Sequence, residues 1–164
     1  MKRTQDRVSV LLLALFLALL LTLAPLSVAL EPLRPYWVAL VLIYWSLEVQ
    51  QPIPLGAVFL LGLLLDVLLA SLLGLHACSL LIMVYLVRRF RPRIRFFPPW
   101  QQALAVLLLL LNDRVILLWL SVLLGEPVPS WRYWLAPLVT TALWPWVFLA
   151  LDQARLVRRQ VGKH

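Results

Sequence analysis

The chain reads as an all-α integral membrane protein, a six-helix transmembrane bundle, and three observations predict that class. Hydrophobic residues make up 63% of the 164 positions and the mean hydropathy is +0.94, more apolar surface than a water-soluble fold can hide. Uncharged stretches of roughly twenty residues recur, the length that crosses a bilayer as a helix. Lysines and arginines stand at the ends of those stretches, and the densest cluster, RRFRPRIR at residues 88–95, separates two leucine-rich blocks. The connecting segments are too short to fold separately, so residues 1–164 form a single polytopic domain.

The first span covers residues 8–30, preceded by Lys2, Arg3 and Arg7. Ser27, Val28 and Ala29 offer a small-x-small cleavage pattern, but the apolar run at residues 8–24 has 17 members, beyond the ~7–15 of a signal-peptide core. The segment is therefore expected to stay as an anchor. Glu31, Pro32, Arg34 and Pro35 make the turn that follows, since proline stops one helix and starts the next.

The second span is set at residues 36–51. Its uninterrupted apolar part, residues 36–47, is only ~18 Å long as a helix, short of the ~30 Å hydrocarbon core. A short, tilted or re-entrant segment is expected, with Tyr36, Trp37, Tyr44 and Trp45 as interfacial anchors. Residues 55–87 would measure ~50 Å as one helix. That length predicts a hairpin of abbreviated helices, residues 54–70 and 74–87, with Asp66 in the first arm. The fifth span, residues 100–124, carries Asn112, Asp113 and Arg114 in its middle, and GEPVPS at residues 125–130 is an outer turn. The sixth, residues 131–151, has Pro137 and Pro145 as expected kinks.

Six crossings place twelve basic residues on one side and only Arg34 and Arg132 on the other. The positive-inside bias then puts both termini in the cytoplasm. It also accounts for the net charge of +8 without nucleic acid, although Phe90, Phe96 and Phe97 interleave with the bases. The basic patch of Arg88, Arg89, Arg91, Arg93 and Arg95 has two uses: topogenic charge drawn to anionic phospholipid, and a docking surface for a cytoplasmic protein. Cys78 is the single cysteine, which excludes an intramolecular disulfide, a thiolate metal cluster and a CxxC redox pair.

Asp66, Asp113 and Arg114 are the charges set deep in apolar runs, and such groups need partners or water. Counted inward from the basic edges, Asp66 lies ~16 Å deep and Arg114 ~21 Å. Matched depth and opposite sign predict an Asp66 to Arg114 ion pair, with Asn112 and Asp113 completing an intramembrane polar network. Two uses stay open for it: a latch between the third and fifth helices, or a proton or ligand relay. His76 has no carboxylate, cysteine or second histidine at ligand spacing and reads as an interfacial residue at the hairpin end. Ala70 and Gly74 form a small-xxx-small pair of the kind that lets helices approach closely. Phosphate loops, dinucleotide fingerprints, nucleophile elbows and zinc-protease helices are absent from the sequence, so no catalytic residue, metal or cofactor is expected.

LRPYWVALVLIYW at residues 33–45 resembles the second-helix region of the rod shape-determining MreD family, in which Arg-Pro precedes apolar residues and Tyr-Trp. GAVFLLGLLLDVLLASLLG at residues 56–74 is similar to that family's glycine-rich helix with an embedded aspartate, and WQQALAV and LWPWVFL continue the likeness across nearly the whole chain. Two positions depart from it: Ala70 stands where the family usually has glycine, and Leu72 where proline is frequent. The resemblance implies a bacterial inner-membrane scaffold, without enzymatic activity, in the cell-wall elongation complex that maintains rod shape. Implied partners are the bitopic MreC, the actin-like MreB, and the elongation glycosyltransferase and transpeptidase. It also implies a bundle like the substrate-binding subunits of vitamin transporters. That likeness of fold leaves a small transporter or ligand-capturing subunit as the alternative.

Overall fold

The computed structural model describes residues 2–49 and 53–161. Within them the chain is helical: α1 (Lys2–Leu23), α2 (Trp37–Glu48), α3 (Leu55–Leu68), α4 (Leu75–Ile94), α5 (Pro99–Leu123) and α6 (Leu135–Val161). Short 3-10 turns stand at Glu31–Leu33 and Trp131–Trp134, and no strand occurs among the described residues. α5 and the segment Trp131–Leu156 are long and apolar enough to cross a membrane, whereas the apolar helices Val8–Leu23 and Leu55–Leu68 are shorter.

The core is built around α2. Its sequence is apolar on every face, and a helix of that kind is stable where neighbours surround it. Positions 38–47 are all buried, enclosed by α1, α4 and α6. α1 meets α2 through Val10, Ala14 and Ala18, a stripe at four-residue spacing whose alanines permit close approach. Leu13, Phe16, Leu17 and Leu20 cover its opposite, exposed face. From α4 come Met83, Val84 and Val87, and from α6 comes Trp144. Phe148 stands edge-on to Tyr44 with ring centroids 5.3 Å apart.

α3 joins this core through Val58 and Leu65 and packs on α4, which α5 also contacts. Gly62 makes the α3 to α4 approach possible, because a Cβ there would collide with the backbone of Ala77. The chain turns between the two helices through Ala70 at φ +50° and Gly74 at φ +100°. These two residues are thus turn positions of left-handed backbone, not the helix-packing pair that their spacing suggested.

Several boundaries differ from the sequence expectations for physical reasons. α1 ends at Leu23 rather than Leu30, because Pro25 lacks an N–H and disfavours helical geometry at Ala24. The basic cluster is not a loop: α4 runs through it to Ile94 with Pro92 inside. Cations in a helix's last turns interact favourably with its dipole. α6 continues beyond Leu151 to Val161, and of its two prolines Pro137 sits in the first turn, where no N–H is needed. The expected end of the second span at residues 50–51, and Lys163, lie outside the described residues.

Candidate functional site

The α3 to α4 turn is organised by one carboxylate. Asp66, in the last turn of α3, is fully buried. Its Oδ2 accepts from the Gly74 backbone N–H at 2.8 Å and its Oδ1 from the His76 backbone N–H at 2.9 Å. These are donors at the start of α4 that the helix cannot satisfy itself, and a negative charge is favoured there. The Ser71 hydroxyl donates to Oδ1 at 2.9 Å, and the His76 ring places Nδ1 at 2.8 Å from the same oxygen. The ion pair expected between Asp66 and Arg114 is therefore not formed; His76 takes the place assigned to the arginine. Depth along a helix axis cannot decide between partners, and the turn brings a residue only ten positions away into reach.

Asp113 and Arg114 are neighbours on α5, and the ~100° between successive helical residues sends them to different partners. Asp113 is buried and accepts a hydrogen bond from the Ser79 hydroxyl of α4. The Arg114 guanidinium carbon lies 4.2 Å from the Tyr36 ring centroid and 3.9 Å from that of Tyr133. Both rings attract the cation through their π-faces. Tyr133 also donates its hydroxyl to the Arg114 carbonyl at 3.1 Å. Among the described residues no carboxylate forms an ion pair with Arg114. Asn112 does not join the network. It lies exposed on the outward face of α5, in line with the exposed Leu104, Leu108 and Trp119.

Asp113 and Arg114 line a cavity of about 210 Å³ whose wall also includes His76, Tyr36, Arg34 and Glu31. It opens among α1, the α1 to α2 connection, α3, α4 and α5, with Leu65, Leu80 and Leu117 as apolar wall. Three of the lining residues carry polar atoms that are incompletely satisfied. Arg34 donates from Nη2 to the Ala24 carbonyl at 3.1 Å, but its Nε, the Nε of Arg114 and the Tyr36 hydroxyl are buried with no hydrogen-bond partner.

A second cluster occupies the opposite end of α2. Tyr44 donates its hydroxyl to Asp152 of α6 at 3.2 Å. Arg155 stands 3.3 Å from Asp152 and 3.9 Å from Glu48. Arg91 of α4 donates Nε to the Leu47 carbonyl at 2.9 Å, satisfying an acceptor at the C-terminus of α2. The basic patch therefore divides: Arg88 and Arg91 are half-buried, whereas Arg89, Arg93 and Arg95 are exposed. Sequence reasoning missed Ser79, Tyr36, Tyr133, Glu48, Asp152 and Arg155. The usable signal was polarity itself, because a serine or an acid inside an apolar run needs a partner.

Comparison with known proteins identifies the family. Residues 2–154 match the family described as rod shape-determining protein MreD. The rod shape-determining protein MreD of Haemophilus influenzae is 35% identical over 148 residues, which cover 90% of each chain. No solved structure matches.

Proposed function

The chain belongs to the MreD family of rod shape-determining membrane proteins, and we propose that it serves rod-shape determination as a non-enzymatic scaffold of the cell-wall elongation complex. The family associates generally with the shape-determining machinery and is not an enzymatic one. In the proposed arrangement the bundle sits in the bacterial inner membrane with both termini cytoplasmic. MreC is bound through an outward helix face, MreB is met at the basic end, and the elongation glycosyltransferase and transpeptidase belong to the same assembly. The position of Arg91 and Arg155 at one end of α2 supports that orientation, because two basic groups far apart in sequence gather on one side. Exposed Arg89, Arg93 and Arg95 are then available to anionic phospholipid or to a filament.

Asn112 carries the scaffold reading. The Asn112 carboxamide is exposed at the middle of an apolar, outward-facing stripe, with no hydrogen-bond partner among the described residues. A helix of another chain can supply one, and interhelical amide bonds of this kind hold membrane helices together. The test is co-purification of MreC from detergent-solubilised membranes with wild type and with Asn112→Leu. Stoichiometric MreC with the wild type and its loss with the variant are expected, with the variant remaining folded because leucine suits a lipid-facing position. Equal recovery from both would remove α5 as the contact. Wild type without MreC would defeat the scaffold.

A further inference from the structure

We propose that the cavity beside Arg114 is a binding site for the phosphodiester of a phospholipid headgroup. Three groups on its wall point to an oxyanion. Arg114 holds a cation within the apolar bundle with two tyrosine rings and no carboxylate partner among the described residues. Aromatic faces attract the charge but do not accept the guanidinium N–H bonds as an oxygen does, and its Nε is buried without an acceptor. Arg34 and Tyr36 line the same cavity, and the Arg34 Nε and the Tyr36 hydroxyl are likewise buried without a partner. Buried donors are ordinarily satisfied, and here three unsatisfied groups belong to residues of one cavity wall, two of them arginines whose other N–H donors can meet an oxyanion. Guanidinium groups recognise phosphate and carboxylate oxygens through paired N–H donors.

Charge and shape narrow the class. Glu31 and Asp113 also line the cavity and cancel the formal charge of the two arginines. Donor geometry rather than net charge would then hold the oxyanion, and a singly charged phosphodiester is disfavoured less there than a doubly charged free phosphate. The volume of about 210 Å³ is far above the ~10–15 Å³ that one water requires. Leu65, Leu80 and Leu117 continue the wall as apolar surface, suited to the glycerol and first acyl carbons. The site lies at the N-terminal end of α2, away from the basic patch at its C-terminal end, so it is separate from surface attraction to anionic lipid.

The experiment compares thermal unfolding of the full chain in a neutral maltoside detergent alone, with short-chain phosphatidylglycerol, and with inorganic phosphate. Phosphatidylglycerol should raise the midpoint by several degrees, and phosphate should not. Arg114→Gln should abolish the shift, Arg114→Lys should retain part of it, and Tyr36→Phe, which preserves the ring, should reduce it. If Arg114→Gln does not fold, Arg34→Gln together with Tyr36→Phe carries the comparison. An undiminished shift in these variants would mean lipid bound only around the bundle and would overturn the site. An equal shift with inorganic phosphate would overturn the lipid assignment in favour of a free anion, and no shift with either would overturn both.

Discussion

Asp66 binds the start of α4 through His76 twice, accepting the backbone N–H at 2.9 Å and facing the ring Nδ1 at 2.8 Å. The carboxylate belongs to one helix and completes the hydrogen bonding of the next, so the α3 to α4 hairpin is held at its turn as well as along its faces. The expected latch between α3 and α5 is replaced by two separate links, Asp66 to α4 and Asp113 to Ser79. α4 is the common partner of both.

Asp66→Ala should destabilise the protein, because it leaves N–H donors of Gly74 and His76 without their acceptor. A fully buried group left unsatisfied costs about 1–3 kcal/mol, and these two part-buried donors should cost the lower end of that range each. Thermal unfolding in detergent measures it. In a double-mutant cycle, Asp66→Ala with His76→Ala should show coupling, whereas Asp66→Asn with Arg114→Gln should be additive; coupling in the second pair would restore the direct ion pair.

Gly62→Ala should be more damaging than its size suggests. The added Cβ meets the Ala77 backbone, which cannot rotate away, so α3 and α4 must separate. Overpacking of this kind costs about 1–3 kcal/mol. Gly56→Ala, where the same atom would meet open space, is the control and should leave the unfolding midpoint near that of the wild type.

Ala70→Gly should stabilise the turn. Ala70 adopts φ +50°, a conformation that costs an L-residue with a Cβ about 1–2 kcal/mol. Glycine gives part of that back through its greater freedom in the unfolded chain, leaving a gain of about 1 kcal/mol or less. A lowered unfolding midpoint would show that the alanine methyl contributes packing that outweighs the strain.

Topology is tested by cysteine labelling in intact cells with a membrane-impermeant reagent. On a Cys78→Ser background, Pro129→Cys in the turn before Trp131–Trp134 should react and Arg91→Cys should not. Arg91 donates to the Leu47 carbonyl, so a parallel labelling in opened membranes must show that its cysteine reacts once access is given. Reversed accessibility would invert the orientation.

Composition and the spacing of charges settled much of this protein before any coordinates: an all-helical membrane fold, a helical break near Ala70, and the exceptional status of Asp66, Asp113 and Arg114. Those properties follow from local chemistry, because an apolar run seeks lipid or a core and an ionisable group within it needs a partner wherever the chain goes. Partner identity was not local. Whether Asp66 meets Arg114 or His76 depends on the path of the Leu69 to Gly74 turn, and whether Asn112 faces inward or outward depends on the rotation of α5 about its axis. The burial of α2 on every side likewise required α1, α4 and α6 to close around it, since a run apolar on all faces carries no periodicity to say which neighbour each face will meet.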